Sequence, residues 1–159
     1  MPLRPAVESD LETIIELIQA LAAYEREPEA VVLDREELRR HLFGPRPFAE
    51  VVIAETAEGQ SAGFALFFHN FSTWAGKPGL YVEDLFVRPE LRGQGYGKAL
   101  LAELGRLALE RGCARLEWSV LDWNEPSIQF YRALGAVPMD EWTTFRVTGA
   151  ALDKLARRP

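Results

Sequence analysis

The chain of 159 residues has the usual length of one domain, so we expect a single domain over residues 1–159. Its composition, 48% hydrophobic and 26% charged, is that of a soluble globular protein, and its net charge of −6 disfavours nucleic acid as a partner. One cysteine and two histidines that lie far apart exclude an internal disulfide and disfavour a metal site. No run approaches the roughly 20 apolar residues of a membrane span, and the first residues lack a signal peptide's apolar segment. We therefore expect a cytoplasmic protein with no membrane partner.

The first part of the chain predicts two helices. Ser9, with a glutamate three residues later, has the pattern of a capping box, so a helix is expected from Ser9 to Glu27, where a proline follows. Asp34 predicts the N-cap of a second, shorter helix, which ends at Gly44.

The hydrophobic pattern then changes to that of strands. Residues 48–56 and 61–71 are rich in branched and aromatic side chains, and the segment AEGQ between them predicts a hairpin. Residues 80–88 predict a third strand. Residues 97–112 have the period of an amphipathic helix, closed by its final glycine.

The last part of the chain predicts two more strands and two helices. Residues 114–123 predict a strand, and Asn124 predicts the N-cap of a helix that ends at Gly135. Residues 142–149 predict a final strand, and residues 150–158 a helical tail. This order of elements predicts an α/β (α+β) fold, in which helices cover both faces of a mixed sheet.

Residues 92–97, RGQGYG, lie between a predicted strand and a predicted helix. Backbone N–H groups at such a junction point outward where the helix dipole is positive, so the segment predicts an anion site. A Walker loop would require glycine at Arg92 and a hydroxyl at Ala99, and a dinucleotide fingerprint would require its third glycine at Lys98. Both motifs are excluded. A plain turn would need fewer glycines.

The pattern R-x-x-G-x-G that remains resembles the pyrophosphate loop of the GCN5-related N-acetyltransferase (GNAT) superfamily. The segments LAAYEREPEAVVL, YVEDLFV and WNEPSIQFYRALGA are similar to its diamine acetyltransferase branch, which includes the spermidine/spermine and thialysine acetyltransferases. The resemblance covers nearly the whole chain and implies a mostly antiparallel sheet of six to seven strands. Strands 4 and 5, residues 80–88 and 114–122, would splay apart to admit the pantetheine arm of acetyl-CoA. The resemblance also implies a homodimer.

The resemblance assigns several residues to the cofactor, each by its match to the family's motifs. The backbone of three consecutive strand residues would bind pantetheine: Leu85, Phe86 and Val87. The loop would hold the pyrophosphate through Arg92, Gly93, Gln94, Gly95, Tyr96, Gly97 and Lys98. The start of the next helix would contact the pantetheine region through Asn124, Glu125, Pro126 and Ser127.

Acetyl transfer from a thioester to an amine needs a group that removes a proton from the ammonium and a group that protonates the departing sulfur. Tyr131 matches the family's general acid. Glu83 is the candidate that holds the amine and passes its proton outward. Because side chains alternate along a strand, Glu83 and Asp84 face opposite sides unless a β-bulge rotates one of them. Asp84 is therefore either a second substrate carboxylate or the partner of an arginine.

Three further residues are candidates for binding the amine. Tyr24 and Glu25, at the end of the first predicted helix, match the branch's substrate-contacting pair, and Trp74 lies in a loop that would cover the amine. An aromatic and acidic lining suits a small cation. An acidic contact near Asp140 or Glu141 can be assigned only loosely, because that connection looks shorter than in animal members.

These patterns favour an N-acetyltransferase that transfers the acetyl group of acetyl-CoA, without a metal, to a primary amine of a small cation. The amine would be a polyamine, a diamine or a thialysine-like molecule, and it would attack directly in a ternary complex. Two alternatives stay open. The acceptor could be an amino acid, an antibiotic or a protein N-terminus, or the chain could be a non-catalytic acyl-CoA-binding module, which the match at Tyr131 disfavours.

Overall fold

The computed structural model describes residues 1–158. Met1–Leu121 form one compact unit, and the residues from Asp122 onward form a second. In the part of the chain that the structure describes, the first unit contains five strands and three α-helices, and the second contains two α-helices. No helix among residues 1–158 is both long enough and apolar enough to cross a bilayer.

Strands and helices follow one another in mixed order. The strands are β1 (Leu3–Pro5), β2 (Glu50–Glu55), β3 (Ser61–Ser72), β4 (Lys77–Val87) and β5 (Leu116–Trp118). The helices are α1 (Leu11–Tyr24), α2 (Arg35–Phe43), α3 (Tyr96–Glu110), α4 (Glu125–Ala133) and α5 (Gly149–Ala156).

The first helix begins later than the sequence predicts. A 3-10 turn over Glu8–Asp10 precedes α1, and the backbone N–H of Val7 donates to Oδ2 of Asp10 at 2.8 Å. The same carboxylate accepts two hydrogen bonds from the Arg4 guanidinium, at 2.8 and 2.9 Å. The prediction that Ser9 caps the helix is therefore wrong, because the ion pair with β1 makes Asp10 the residue that organises this turn.

Two other predicted helix starts are confirmed. The N–H of Glu37 donates to Oδ1 of Asp34 at 2.9 Å, and α2 ends at Phe43 with Gly44 as its C-cap, as predicted. The N–H of Ser127 donates to Oδ1 of Asn124 at 3.4 Å at the start of α4. Such caps satisfy N–H groups that have no acceptor within the helix.

The five strands form one sheet in the order β1-β2-β3-β4-β5. Neighbouring strands are antiparallel except β4 and β5, which are parallel. The mixed, mostly antiparallel sheet is therefore confirmed, but its size is not, since it has five strands where six to seven were expected. Residues 142–148, predicted as a strand, have no strand or helix assignment, and Phe145 is 91% exposed. A β-strand needs a neighbour to pair its backbone, and this segment has none among the described residues.

Helices of the first unit cover both faces of the sheet, as predicted. On one face, α1 and α2 pack against a cluster that includes Phe64, Leu66 and Phe86. On the other face, α3 packs against Phe67 and Val82. Successive side chains of β3 therefore pack into the two cores on opposite faces of the sheet. For this reason the strand is almost continuously apolar.

The end of α1 contains a residue with left-handed backbone. The N–H of Glu27 donates to the carbonyl of Ala22 at 2.9 Å and the N–H of Arg26 donates to that of Ala23 at 3.1 Å, which is the hydrogen-bond pattern of a Schellman motif. The φ of Arg26 is 66°. Glycine adopts this conformation without strain, whereas L-residues with a side chain do so at a cost in free energy. This turn follows directly on Tyr24 and Glu25.

We expect Arg26→Gly to be more stable than Arg26→Ala by about 1 kcal/mol in free energy of unfolding. Both substitutions remove the same long side chain, so their difference isolates the strain at positive φ. Urea unfolding of the two variants measures it. An alanine variant as stable as the glycine variant would show that the turn is not strained.

Candidate functional site

An extra residue interrupts the ladder between β3 and β4. Phe67 pairs with Val82, and the preceding residue Leu66 pairs with Asp84, so Glu83 has no partner of its own on β3. Two residues of one strand then oppose one residue of the other, which defines a β-bulge. The ladder therefore contains a bulge at the position where the adjacent carboxylates had suggested one.

The bulge decides which face Asp84 occupies. Val82 packs on the α3 face, and in a regular strand the residue two positions later would lie on the same face. Asp84 instead pairs with Leu66, whose side chain belongs to the cluster on the α1 face. Leu85 correspondingly packs on the α3 face. Asp84 thus lies on the side of the sheet that α1 covers.

Two further carboxylates, Glu83 and Glu25, lie near enough to repel the charge of Asp84. Burial, followed by repulsion from Glu83 and Glu25, raises the pKa of Asp84 to about 6. Burial also raises the pKa of Glu25, which follows the last residue of α1. The Glu83 side chain is exposed. Asp84 forms no ion pair within residues 1–158, so the arginine partner considered from the sequence is not found there.

The strands β4 and β5 separate at the same place. They share three residue pairs, from Leu80 with Leu116 to Val82 with Trp118. Beyond Val82, β4 stays paired with β3 as far as Val87. In the described part of the chain, the edge of β4 that faces β5 is therefore unpaired over residues 83–87. This is the opening between strands 4 and 5 that the resemblance implies. Apart from the carbonyl of Val87, which accepts a hydrogen bond from Arg92, its unpaired backbone suits an extended ligand.

The glycine-rich loop ends at the N-terminus of α3. Gly93 and Gly95 have φ values of 78° and 91°, which L-residues with a side chain avoid. No atom lies within 4 Å of the position that a Cβ on Gly93 would occupy. The first N–H of this segment to bond back into the helix is that of Ala99, to the carbonyl of Gly95 at 2.9 Å. The N–H groups before it remain available, at the positive end of the dipole, for an anion.

Arg92, the first residue of the loop, turns its side chain towards α1. Its guanidinium carbon lies 4.5 Å from the centroid of the Tyr24 ring and 5.4 Å from that of Phe86. Its Nε donates to the carbonyl of Val87 at 3.0 Å. The structure therefore brings together the loop and the predicted substrate residue Tyr24, a contact that no sequence pattern indicated.

Trp74 is not among the residues brought together. It lies in the turn between β3 and β4, and its side chain is 94% exposed. Six residues of extended strand, about 20 Å, separate Lys77 at the start of β4 from Glu83. Within one chain, Trp74 does not cover the carboxylates.

The second unit contains the remaining predicted site residues. Residues 124–127 form the start of α4, where the buried Asn124 accepts the N–H of Ser127. Tyr131 is half-buried further along α4, and its ring centroid lies 5.6 Å from that of Phe130. The Asn124 side chain therefore has a capping role inside this unit.

Sequence reasoning missed Tyr81, which lies on the same face as Asp84. Its ring packs against Phe68, with the centroids 5.3 Å apart, and its hydroxyl lies 2.8 Å from that of Ser119. Once the bulge is placed at Glu83, the period of two along the strand predicts this shared face. The signal was present, but it depended on knowing the register.

The first unit thus offers an anion-binding loop, an open strand edge and a group of carboxylates along one short stretch of chain. These features fit an extended ligand with phosphates at one end and a cationic ligand beside Asp84. Residues 1–158 contain no group of three or more side chains arranged to hold a metal ion.

We expect wild type to lose free energy of unfolding as the pH rises through the pKa of Asp84, and Asp84→Asn to abolish this loss. A folded-state pKa of about 6, against 3.8 for the ordinary group, means that the folded state binds the proton more tightly. The free energy of unfolding then falls as the pH rises from about 4 to 6, by up to about 3 kcal/mol. At pH 8 the variant should be more stable than wild type by a similar amount, and near pH 4 the two should agree.

Urea unfolding between pH 4 and pH 8 makes this measurement. Glu58→Gln, in the exposed turn between β2 and β3, is the control for removing one negative charge. If wild type and Asp84→Asn show parallel pH profiles, the burial and repulsion at Asp84 are not as described.

Comparisons with known proteins agree with the expected family. The acetyltransferase (GNAT) family profile matches residues 11–136. Thialysine N-epsilon-acetyltransferase from Bos taurus is 38% identical over 164 aligned positions, covering 97% of this chain and 96% of that protein. L-ornithine N5-acetyltransferase from Arabidopsis thaliana is 39% identical over 129 positions, covering 81% of this chain and 53% of that protein.

A solved structure has the same fold. An integron cassette protein from the mobile metagenome of V. cholerae matches with a TM-score of 0.81 at 25% identity, covering 99% of this chain and 98% of that one. Because the family profile spans well over half of the chain and the bovine relative aligns along nearly its full length, the protein is an N-acetyltransferase that belongs to the GNAT family.

Proposed function

We propose that this protein transfers the acetyl group of acetyl-CoA to a primary amine of a small cation, with both substrates bound together. The observation on which the proposal rests is the bulge at Glu83. It turns Asp84 to the α1 face, within the electrostatic influence of Glu83 and Glu25, at the point where β4 loses its pairing with β5. A cation placed there would relieve the repulsion among the carboxylates.

The acetyl-CoA would be held by backbone more than by side chains. The open edge of β4 would bind the pantetheine arm at Leu85, Phe86 and Val87, and the N–H groups of residues 93–98 would bind the pyrophosphate. Residues 124–127 are assigned to the pantetheine region by the resemblance. When bound, acetyl-CoA supplies a thioester whose carbonyl carbon the amine attacks.

The carboxylates would bind the ammonium and remove its proton. Asp84 and Glu25 are the less exposed members of the cluster and would pair with the cation, with the Tyr24 ring beside them. Glu83 is exposed and would pass the proton to solvent. The free amine that results can attack the thioester.

Tyr131 would act as the general acid. During transfer an N–C bond forms and the C–S bond breaks, so the departing sulfur needs a proton, which the phenol can donate. The amine nitrogen loses two protons in all. One leaves through Glu83. The second compensates for the proton that Tyr131 donates to the sulfur, so one proton is released in total. Support for Tyr131 comes from its match to the family motif.

The similar proteins favour a basic amino acid or diamine as acceptor. Thialysine and ornithine, which name two of the relatives, both have a primary amine at the end of a short chain that bears other charged groups. Three carboxylates suit a molecule with more than one positive charge. We therefore place thialysine-like amines, diamines and polyamines ahead of antibiotics and protein N-termini.

The test is the release of free CoA from acetyl-CoA with a panel of amines: thialysine, ornithine, lysine, putrescine, spermidine and an aminoglycoside. We expect turnover with at least one of the small aliphatic cations. Tyr131→Phe should lower kcat by about a hundredfold and leave the affinity for acetyl-CoA nearly unchanged, because only the proton donor is removed.

Arg106→Gln, on the exposed surface of α3, is the matched control and should keep wild-type rates. If no amine releases CoA above background, the enzymatic proposal fails. Equal rates for wild type and Tyr131→Phe would remove Tyr131 from the mechanism alone.

We also propose that the chain acts as one acetyltransferase domain in a cytoplasmic homodimer. The family profile runs across the boundary between the two units, which supports a single functional domain. Support for the dimer comes from the resemblance to the family, whose members pair as homodimers. Sedimentation equilibrium should give twice the 17.9 kDa chain mass, and a monomer at micromolar concentration would refute the dimer.

A further inference from the structure

Arg88 lies between the two segments of the chain that would bind acetyl-CoA. It directly follows β4, whose last residues 85–87 would bind the pantetheine arm. Four residues later, Arg92 opens the loop whose N–H groups would bind the pyrophosphate. The contacts of Arg88 therefore fix the chain at the boundary between the two halves of the cofactor site.

The Arg88 side chain binds the first residue of β3 through two of its nitrogens. Its Nε donates to the carbonyl of Ser61 at 2.7 Å, and its Nη2 donates to Oγ of the same residue at 2.9 Å. The backbone N–H of Arg88 donates to the carbonyl of Ala62 at 2.9 Å. Since the last pair of the ladder is Gly63 with Val87, these bonds continue the attachment to β3 beyond the strand. The planar guanidinium can make both side-chain bonds at once, whereas an ammonium has no such fixed fork.

A third donor of Arg88 reaches α1. Its Nη1 donates to Oε1 of Glu16 at 2.7 Å. The Glu16 side chain is 61% exposed, and an ion pair at that exposure contributes little because solvent screens it. The two hydrogen bonds to Ser61 are therefore the main part of this anchor.

The chain between Arg88 and the loop is short and stiff. Pro89–Leu91 form a 3-10 turn, in which the proline ring fixes one φ and the N–H of Leu91 donates to the carbonyl of Arg88 at 2.9 Å. At the far end of the turn, Nε of Arg92 donates back to the carbonyl of Val87 at 3.0 Å. A change in the direction of the chain at Arg88 is therefore transmitted to the loop and not absorbed on the way.

We propose that Arg88 is a positioning residue that sets the distance and direction between the open edge of β4 and the pyrophosphate loop. A ligand that fills two sites at once gains affinity only when the geometry of the sites matches its own. CoA spans both sites, whereas pantetheine or ADP alone fills one. Loss of the anchor therefore weakens CoA binding more than it weakens the binding of either fragment. This inference rests on the proposed function.

The test compares the dissociation constants of CoA, pantetheine and ADP in wild type and in two Arg88 variants. In Arg88→Gln the constant for CoA should rise by about tenfold or more, since small misplacements of binding groups are costly. The constants for pantetheine and ADP should change by less than about twofold, because neither fragment spans the two sites. Arg88→Lys keeps the charge but not the fork, and its constant for CoA should rise by about threefold.

Arg39→Gln is the matched control for the loss of an arginine that joins two elements. The Arg39 guanidinium donates to Glu8 in the turn before α1 and to Glu36 on its own helix, each at 3.0 Å. This variant should bind CoA as wild type does. Urea unfolding identifies any sample of Arg88→Gln that is not folded, and Arg88→Lys then carries the comparison of the three ligands.

Steady-state kinetics give a second readout. In Arg88→Gln the KM for acetyl-CoA should rise by about tenfold or more, while the KM for the amine stays within about twofold of wild type. A general loss of structure would change both constants. Equal increases in the two KM values would therefore refute the positioning role.

The binding outcomes separate this role from the proposed function. If wild type binds CoA and the folded Arg88 variants bind it equally well, the positioning role is refuted while the acetyltransferase proposal stands. If the variants lose affinity for CoA, pantetheine and ADP by the same factor, Arg88 does not set the relation between the two sites. If wild type does not bind CoA, the proposed cofactor is wrong and the inference falls with it.

Discussion

Glu83 is inserted into the ladder between β3 and β4, and the strand absorbs it by exchanging the faces of the side chains that follow. Before the bulge, Val82 packs on the α3 face, and after it Leu85 does. Asp84 consequently lies on the α1 face, near Glu25. Asp84 and the carboxylate that follows α1 lie on the same side of the sheet only because the register changes at Glu83.

This grouping of like charges destabilises the fold, since burial and repulsion raise the pKa of Asp84 to about 6. A protein selected for stability alone would separate or pair such groups. Perturbed carboxylates of this kind are typical of functional sites, where a bound cation supplies the missing charge. The same stretch of β4 has an unpaired edge, so the place where charge accumulates is also where backbone groups are available to a ligand.

The two binding segments of the first unit both use left-handed backbone. Gly93 and Gly95 adopt it in the phosphate loop without strain, and Arg26 adopts it at the end of α1 with strain. Arg92 lies between them in space, with its guanidinium against Tyr24.

The sequence alone determined those features that depend on neighbouring residues. The caps at Asp34 and Asn124, the phosphate loop at residues 92–97 and the helix that follows it all come from chemistry within a few residues, and motif matching identified the family from them. Tertiary structure decided the features that need a distant partner. The start of α1 is an intermediate case, because Asp10 organises that turn through hydrogen bonds from Val7 and from Arg4 of β1, and not through the predicted cap at Ser9. The predicted strand at residues 142–149 did not form in the described chain, because pairing requires a neighbour. The face of Asp84 followed from its pairing with Leu66, a contact between residues far apart in the chain, which no local periodicity can specify.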